Sequence, residues 1–206
     1  MQPTDERPTG ERPMVIIGQD AGMQEVGTDA LYQRIAPRFG DLLAHCSADR
    51  WSSPSPCDGW TAWDVAAHVI RNHRRALAGL DISSFSAPVP GDDLHTAWRA
   101  ATGGVRSALR DPTLATIQLG DDFGSLSFEA FVKRMACADT LIHTWDFARA
   151  TGQDEALDPE AVTLATAMLM PEDNDIRMPQ AFGIKVPASD GADAQTRFLN
   201  FLGRRV

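Results

Sequence analysis

No apolar run in this chain approaches the roughly 20 residues that a bilayer-spanning helix needs, and the stretch MVIIG at 14–18 is too short for a signal-peptide core. Neither membrane insertion nor export is expected. Positive charge is scarce: 19 Lys and Arg stand against 28 Asp and Glu, for a formal charge of -9. Adjacent basic residues occur only in short, scattered groups such as Arg74 with Arg75 and Arg204 with Arg205, so no stripe can track a phosphate backbone and nucleic acid is not an expected partner. Lysine itself is nearly missing (Lys133 and Lys185) while alanine is abundant, a bias associated with high-GC bacterial genomes. The three cysteines, Cys46, Cys57 and Cys137, have no paired spacing, which excludes a disulfide framework and favours a reducing, cytoplasmic setting. P-loop, GxGxxG, CxxC and Ser-His-Asp patterns are absent, so nucleotide-dependent and serine-hydrolase chemistries have no support.

What is present is a 206-residue chain, 43% hydrophobic, long enough for one domain with one core. Residues 1–28 form an expected disordered extension, Pro-rich and charged at their start, and 29–206 form the folded domain. Leu31, Ile35, Phe39, Leu42 and Leu43 recur at helical spacing, with Pro37 a candidate kink. Thr61 with Asp64 three residues on is a carboxylate variant of the capping box and opens a second helix to about Leu80. Asp92 or Asp93 caps a third, carrying Leu94, Trp98, Val105 and Leu109. The segment ATIQL at 115–119 is a candidate short strand. Ser127 starts the best helical stretch in the chain, ended by Gly152 as its C′ residue, and Asp158 followed by Pro159 opens another. A last short helix is expected near 192–203. Substantial helices with little strand signal imply an all-α bundle, whose sites are built from inward-facing side chains of neighbouring helices.

Within that framework, ADTLIHTWDFARATG at 138–152 is apolar on nearly every side yet carries Asp139 and, one turn later, His143. His68 is a similar intrusion in WDVAAHVI. Unpaired, such groups would cost several kcal/mol to bury. If the two helices face each other, His68, Asp139 and His143 converge on a two-histidine, one-carboxylate site with open coordination positions. A core histidine with a backbone partner and a simple intrahelical Asp139–His143 pair would also account for these residues. Asp146 extends the same face, either orienting a ligand histidine or acting as a base, or else pairing with Arg149 at the surface. Arg149 is a candidate for a substrate carboxylate or a solvated helix end. His73 is turned away from the His68 face, Asp64 is explained by capping, and Cys57 and Cys137 are read as packing residues.

The combination of PSPCDGWTAWDVAAHVI, ADTLIHTWDFARATG some 70 residues later, LDPE and the tail FGIKVPASDGADAQTRFLNFLGRR resembles the actinobacterial metal-binding family related to the N-terminal domain of mycothiol-dependent maleylpyruvate isomerase, within the DinB-like superfamily of four-helix bundles. The resemblance implies a DinB-like bundle, a divalent ion (zinc, with nickel, manganese or iron as alternatives) held by His68, Asp139 and His143, and a transferase or isomerase using mycothiol or another small thiol on a small electrophile. The isomerase has glutamate where this chain has Asp139, one methylene shorter. A thiol-independent metalloenzyme (hydrolase, lyase or cyclase) tailoring a natural product, and a non-catalytic metal-containing binding protein, are the alternatives. A monomer or homodimer is expected, with a small molecule as partner and the apolar tail at 182–190 placed to close over the site.

Overall fold

A computed structural model describes residues 26–82, 84–120, 123–174, 176–177 and 182–206. The extension expected at 1–28 falls almost wholly outside the described residues. The elements are α1 (Thr28–Ala44), α2 (Ala62–Ala78), α3 (Leu94–Arg110), α4 (Pro112–Ala115), α5 (Phe128–Phe131), a π-helical turn (Val132–Cys137), α6 (Ala138–Thr151), α7 (Pro159–Leu169) running into a 3₁₀ turn (Met170–Glu172), and α8 (Ala194–Phe201). The fold is all-α, with no strand among the described residues. Among the described residues no helix is long and apolar enough to cross a membrane.

The helix starts follow from side chains that satisfy otherwise orphaned N–H groups. Thr61 Oγ1 accepts from the Asp64 amide at 3.3 Å while Asp64 Oδ2 accepts from the Thr61 amide at 2.8 Å, a complete capping box. Asp93, Ser127 and Asp158 cap α3, α5 and α7 in the same manner. Gly152 ends α6 at φ +69°, a conformation that costs a side-chain-bearing residue roughly 1 kcal/mol or more.

Helix α1 packs on α3 and α6, and α2 packs on the same two. Phe39 of α1 sits at the centre of one junction, edge-on to Trp98 of α3 (centroids 4.9 Å) and to Phe147 of α6 (5.8 Å). Gly104 lets α3 approach α2: a Cβ there would stand 2.7 Å from Leu77 Cδ1.

Two local expectations are corrected. Of the candidate strand at 115–119 only Ala115 is helical, as the last residue of α4; Gln118 makes one isolated antiparallel bridge to Ser127, flanked by Leu119 N to Leu126 O at 2.8 Å and Phe128 N to Ile117 O at 2.9 Å, too short to form a strand. Asp111 accepts from the Thr113 and Leu114 amides with Pro112 at the first helical position, which starts the short helix that ends at Ala115. The long helix expected after Ser127 is not uniform, because Val132–Cys137 widens to π geometry. Such a turn shifts the angular phase of the residues after it, and this one ends two residues before Asp139.

Candidate metal centre

Helix α2 delivers His68 and α6 delivers Asp139 and His143 to one point. His68 Nε2 lies 3.0 Å from Asp139 Oδ1, and His143 Nε2 lies 3.4 Å from that same oxygen. The three donor atoms all fall within 4.8 Å of one another. The second carboxylate oxygen, Oδ2, accepts from Asn72 Nδ2 at 3.1 Å, which turns Oδ1 toward the two imidazoles. Trp60 covers both rings, 4.9 Å from His68 and nearly parallel to His143 at 6.0 Å.

Behind His143 lies a second layer. Its Nδ1 meets Asp146 Oδ2 at 2.9 Å, and Asp146 is completely buried. Arg204, from the end of the chain, grips Asp146 with a fork, Nε to Oδ1 at 3.1 Å and Nη2 to Oδ2 at 2.8 Å. The Cys57 thiol donates to Asp146 Oδ2 at 3.4 Å and stands 3.9 Å from His143 Nδ1. Cys57, His143 and Asp146 are therefore also close enough to surround an ion, but both oxygens of Asp146 already hold a guanidinium, whose charge would repel one. In the triad the guanidinium of Arg71 meets His68 at Nδ1, 2.9 Å away, on the other ring nitrogen from the Nε2 that faces Asp139.

These contacts set the charges. Burial raises the Asp146 carboxyl, but the His143 hydrogen bond and the Arg204 charge outweigh it and bring the pKa down to about 2. Burial likewise opposes ionisation of Asp139, and His143 with His68 overcomes it and holds the carboxyl well below its ordinary range. His143 is pushed down by burial and lifted further by Asp139 and Asp146, ending well above the ordinary histidine value. A proton on His143 thus balances two flanking carboxylates, and an ion taking Nε2 must release it.

Arg149 is held apart from this cluster: it pairs with Glu155 at 2.9 Å and lies over Trp145. Asp146 makes its ion pair with Arg204, and the surface pair with Arg149 does not form. His73 donates from Nδ1 to Val69 O at 2.8 Å and packs on Trp98 and Tyr32, away from the triad's donor atoms. Cys137 is buried, its thiol pushed up to about 12 by burial, as expected of a packing residue. Cys57, read as a packing residue of its loop, instead joins the layer behind His143.

Two cavities adjoin the triad. One, about 390 Å³, reaches Asp139 and Asn72 and has Phe123 and Phe131 in its wall. The other, about 220 Å³, reaches His68 and lies between Trp60 and Trp63. The tail at 182–190 lines neither. It runs beside α8, where Arg177 binds the Gly183 carbonyl and Val186 N donates to Asn200 O.

The family described as Mycothiol maleylpyruvate isomerase N-terminal domain matches residues 32–148, more than half of the chain. The chain belongs to that family. The matched span contains His68, Asp139, His143 and Asp146, and stops before α7, α8 and Arg204. Similar proteins include Uncharacterized protein Rv0738 and Uncharacterized protein MT0763 of two Mycobacterium tuberculosis strains, H37Rv and CDC 1551. Each is 28% identical over 179 residues, covering 85% of this chain and 96% of the relative. No solved structure matches. Membership in this family supports a mycothiol-related, metal-binding role of the DinB-like kind.

Asn72, Trp60, Cys57 and Arg204 were not singled out as site residues from the sequence. Asn72 carried a usable signal, since it follows His68 by four residues on the same helix face. Arg204 carried none, being separated from Asp146 by 58 residues of unrelated pattern.

Proposed function

We propose that this protein is a divalent-metal-dependent transferase or isomerase that joins a low-molecular-weight thiol, mycothiol or a relative of it, to a small electrophile. The observation that carries the reading is the convergence of His68 Nε2, Asp139 Oδ1 and His143 Nε2, with a carboxylate fixed behind one histidine. The donor set fits a divalent ion of the zinc type: two imidazole nitrogens and one carboxylate oxygen leave coordination positions open. The hydrogen bond from His143 Nδ1 to Asp146 is the support that ligating histidines characteristically have.

A bound divalent ion would supply a lowered pKa to a coordinated thiol, giving a thiolate at neutral pH. The chain's own residues do the rest. Asn72 holds Oδ2 of Asp139 so that Oδ1 faces the histidines. Asp146 fixes the tautomer and plane of His143, and Arg204 fixes Asp146. Asp146 is a positioning residue here, because a carboxyl near pKa 2 that is gripped on both oxygens is a poor proton acceptor. In the reaction the thiol gives its proton to solvent. The C–S bond forms as a π bond or a leaving-group bond of the electrophile breaks, and the electron pair of that bond takes a proton from solvent or departs with the leaving group. In an isomerisation the C–S bond then breaks after rotation, restoring the π bond and releasing the thiolate.

Elemental analysis of untagged protein tests the first half. Wild type is expected to hold close to one equivalent of a divalent ion and His143→Ala to lose it. Thiol-dependent turnover of model electrophiles tests the second. An ion present in wild type with no dependence on any thiol would favour thiol-independent metal chemistry. No ion after reconstitution with zinc, nickel, manganese and iron would remove the triad as a metal site.

A further inference from the structure

Six buried polar side-chain atoms among the described residues take no hydrogen bond, and four of them, Tyr32 Oη, His73 Nε2, Arg106 Nε and Thr140 Oγ1, come one each from α1, α2, α3 and α6. These four fall at one level of the fold. Phe39 meets Phe147, and farther along both segments Gln153 donates to Leu42 O, so α1 and α6 run in the same direction. Two turns back from the Phe39–Phe147 contact, on the same helix faces, stand Tyr32 and Thr140. Helix α3 runs against α1, with Trp98 on Phe39 and Arg110 on Asp29, and Arg106 lies between those contacts on α3 as Tyr32 does on α1. The His73 ring packs 5.7 Å from that of Tyr32. Burial holds the Tyr32 phenol well above its ordinary pKa, with Cys137 adding to the rise and Arg106 opposing it, so the hydroxyl keeps its proton.

Tyr32, His73 and Thr140 have no exposure to water, and an unmet donor or acceptor in such a place carries a desolvation cost that nothing returns. Thr140 shows how this arises. Thr144 and Thr151 in the same helix donate to the carbonyl four residues back, but for Thr140 that carbonyl belongs to Ala136 inside the π turn, and the bond is not made. The hydrogen-bonding inventory of the layer is mixed. His73 Nδ1 gives its proton to Val69 O at 2.8 Å, so Nε2 presents only a lone pair. Arg106 Nε–H can only donate, and the two hydroxyls can do either. A bare anion is opposed by the lone pair of His73 and a bare cation by the guanidinium. Water, with two donors and two acceptors, matches every member.

We propose that this polar layer is an internal hydration site, holding ordered water between Tyr32 Oη, His73 Nε2 and Thr140 Oγ1, with Arg106 Nε–H at its edge. Neither a metal nor a thiol enters into it. The site stands directly behind the triad, since His73 follows Asn72 and Thr140 follows Asp139, the pair whose 3.1 Å hydrogen bond orients the carboxylate. Water there ties α1, α2 and α6 together by bonds that re-form when the helices shift.

A crystal structure of the full chain, at a resolution that shows ordered water, tests the site directly, and urea unfolding of Tyr32→Phe and Thr140→Val tests its energetics. Each substitution keeps the outline of the side chain and removes one hydroxyl. Water is expected within hydrogen-bond distance of His73 Nε2 and of at least one of the two hydroxyls. Each variant is expected to raise the unfolding equilibrium constant about fivefold, the weight of one hydrogen bond lost. A hydroxyl without a partner gives the opposite sign, because its deletion removes a buried unsatisfied group and lowers that constant. Direct hydrogen bonds among Tyr32, His73 and Thr140 with no water between them, or two variants at least as stable as wild type, would overturn the inference.

Discussion

Arg204→Met is expected to destabilise the protein by about 3 kcal/mol, although Arg204 lies close to the end of the chain. The figure reflects what the substitution strands. Asp146 has no exposure to water, and the Arg204 side chain is only 10% exposed, so their two hydrogen bonds form an interior ion pair. Removing one partner of a buried pair costs about 3–5 kcal/mol, because the remaining charge is left unsolvated. Asp146 keeps its 2.9 Å hydrogen bond to His143, which places the cost at the low end. The Asp146 pKa gives the same scale: lowering it from 3.8 to about 2 is worth roughly 2 kcal/mol, shared between His143 and Arg204. Because the folded value lies below the unfolded one, this stabilisation is complete above pH 3.8 and is lost as pH falls toward 2. Without Arg204 the carboxyl rises, so the deficit of the variant is greatest near pH 7 and narrows as the solution is acidified. For a chain of this length the expected fall in melting temperature is about 6–12 °C. Urea unfolding of chelator-treated wild type, Arg204→Met and Arg204→Met with Asp146→Asn would measure it, with the double variant recovering part of the loss. A deficit below about 1 kcal/mol at pH 7 would refute the reasoning, since it would mean that the pair is effectively solvated.

Other contacts give three further expected outcomes. Arg71 Nη2 donates to His68 Nδ1 at 2.9 Å, which holds the ring proton on Nε2, the atom proposed for the ion; Arg71→Ala should therefore raise zinc affinity a few-fold in a chelator competition assay, and a tenfold loss would count against Nε2 as the ligand atom. His73 is driven down to a pKa of about 4 by burial, so the fold holds it neutral and loses up to roughly 3 kcal/mol as pH falls from 6.5 to 4; His73→Phe should flatten that part of the stability–pH curve, and an unchanged slope would show that another group is responsible. Thr61→Ala breaks the capping box of α2 and should cost about 1 kcal/mol by urea unfolding, with no loss expected if water replaces the cap.

Much of the local architecture could be read directly from residue types. Thr61 with Asp64, Ser127, Asp158 with Pro159, and Gly152 each act within three or four residues of themselves, and the helix ends fall where those signals stand. The π turn at Val132–Cys137 was not legible, because a helix-period pattern tolerates one extra residue without changing its apolar character. The strand expected at 115–119 is reduced to one bridge, Gln118 to Ser127, because α4 holds Ala115 on one side and α5 starts at Phe128 on the other.

The candidate site divides along the same line. Sequence alone determined that Asp139 and His143 share a helix face, since a four-residue separation on an α-helix allows little else, and that His68 intrudes on another apolar face. Only the tertiary structure decided that α2 and α6 bring those faces together, that Arg204 rather than Arg149 neutralises Asp146, and that Trp60 and Trp63 wall a cavity beside His68. Helical periodicity acts over one or two turns and leaves its mark in the sequence. The pairing of Asp146 with Arg204 spans 58 residues and exists only because α8 packs on α7 and the chain end after it returns to α6, a contact that no local pattern encodes.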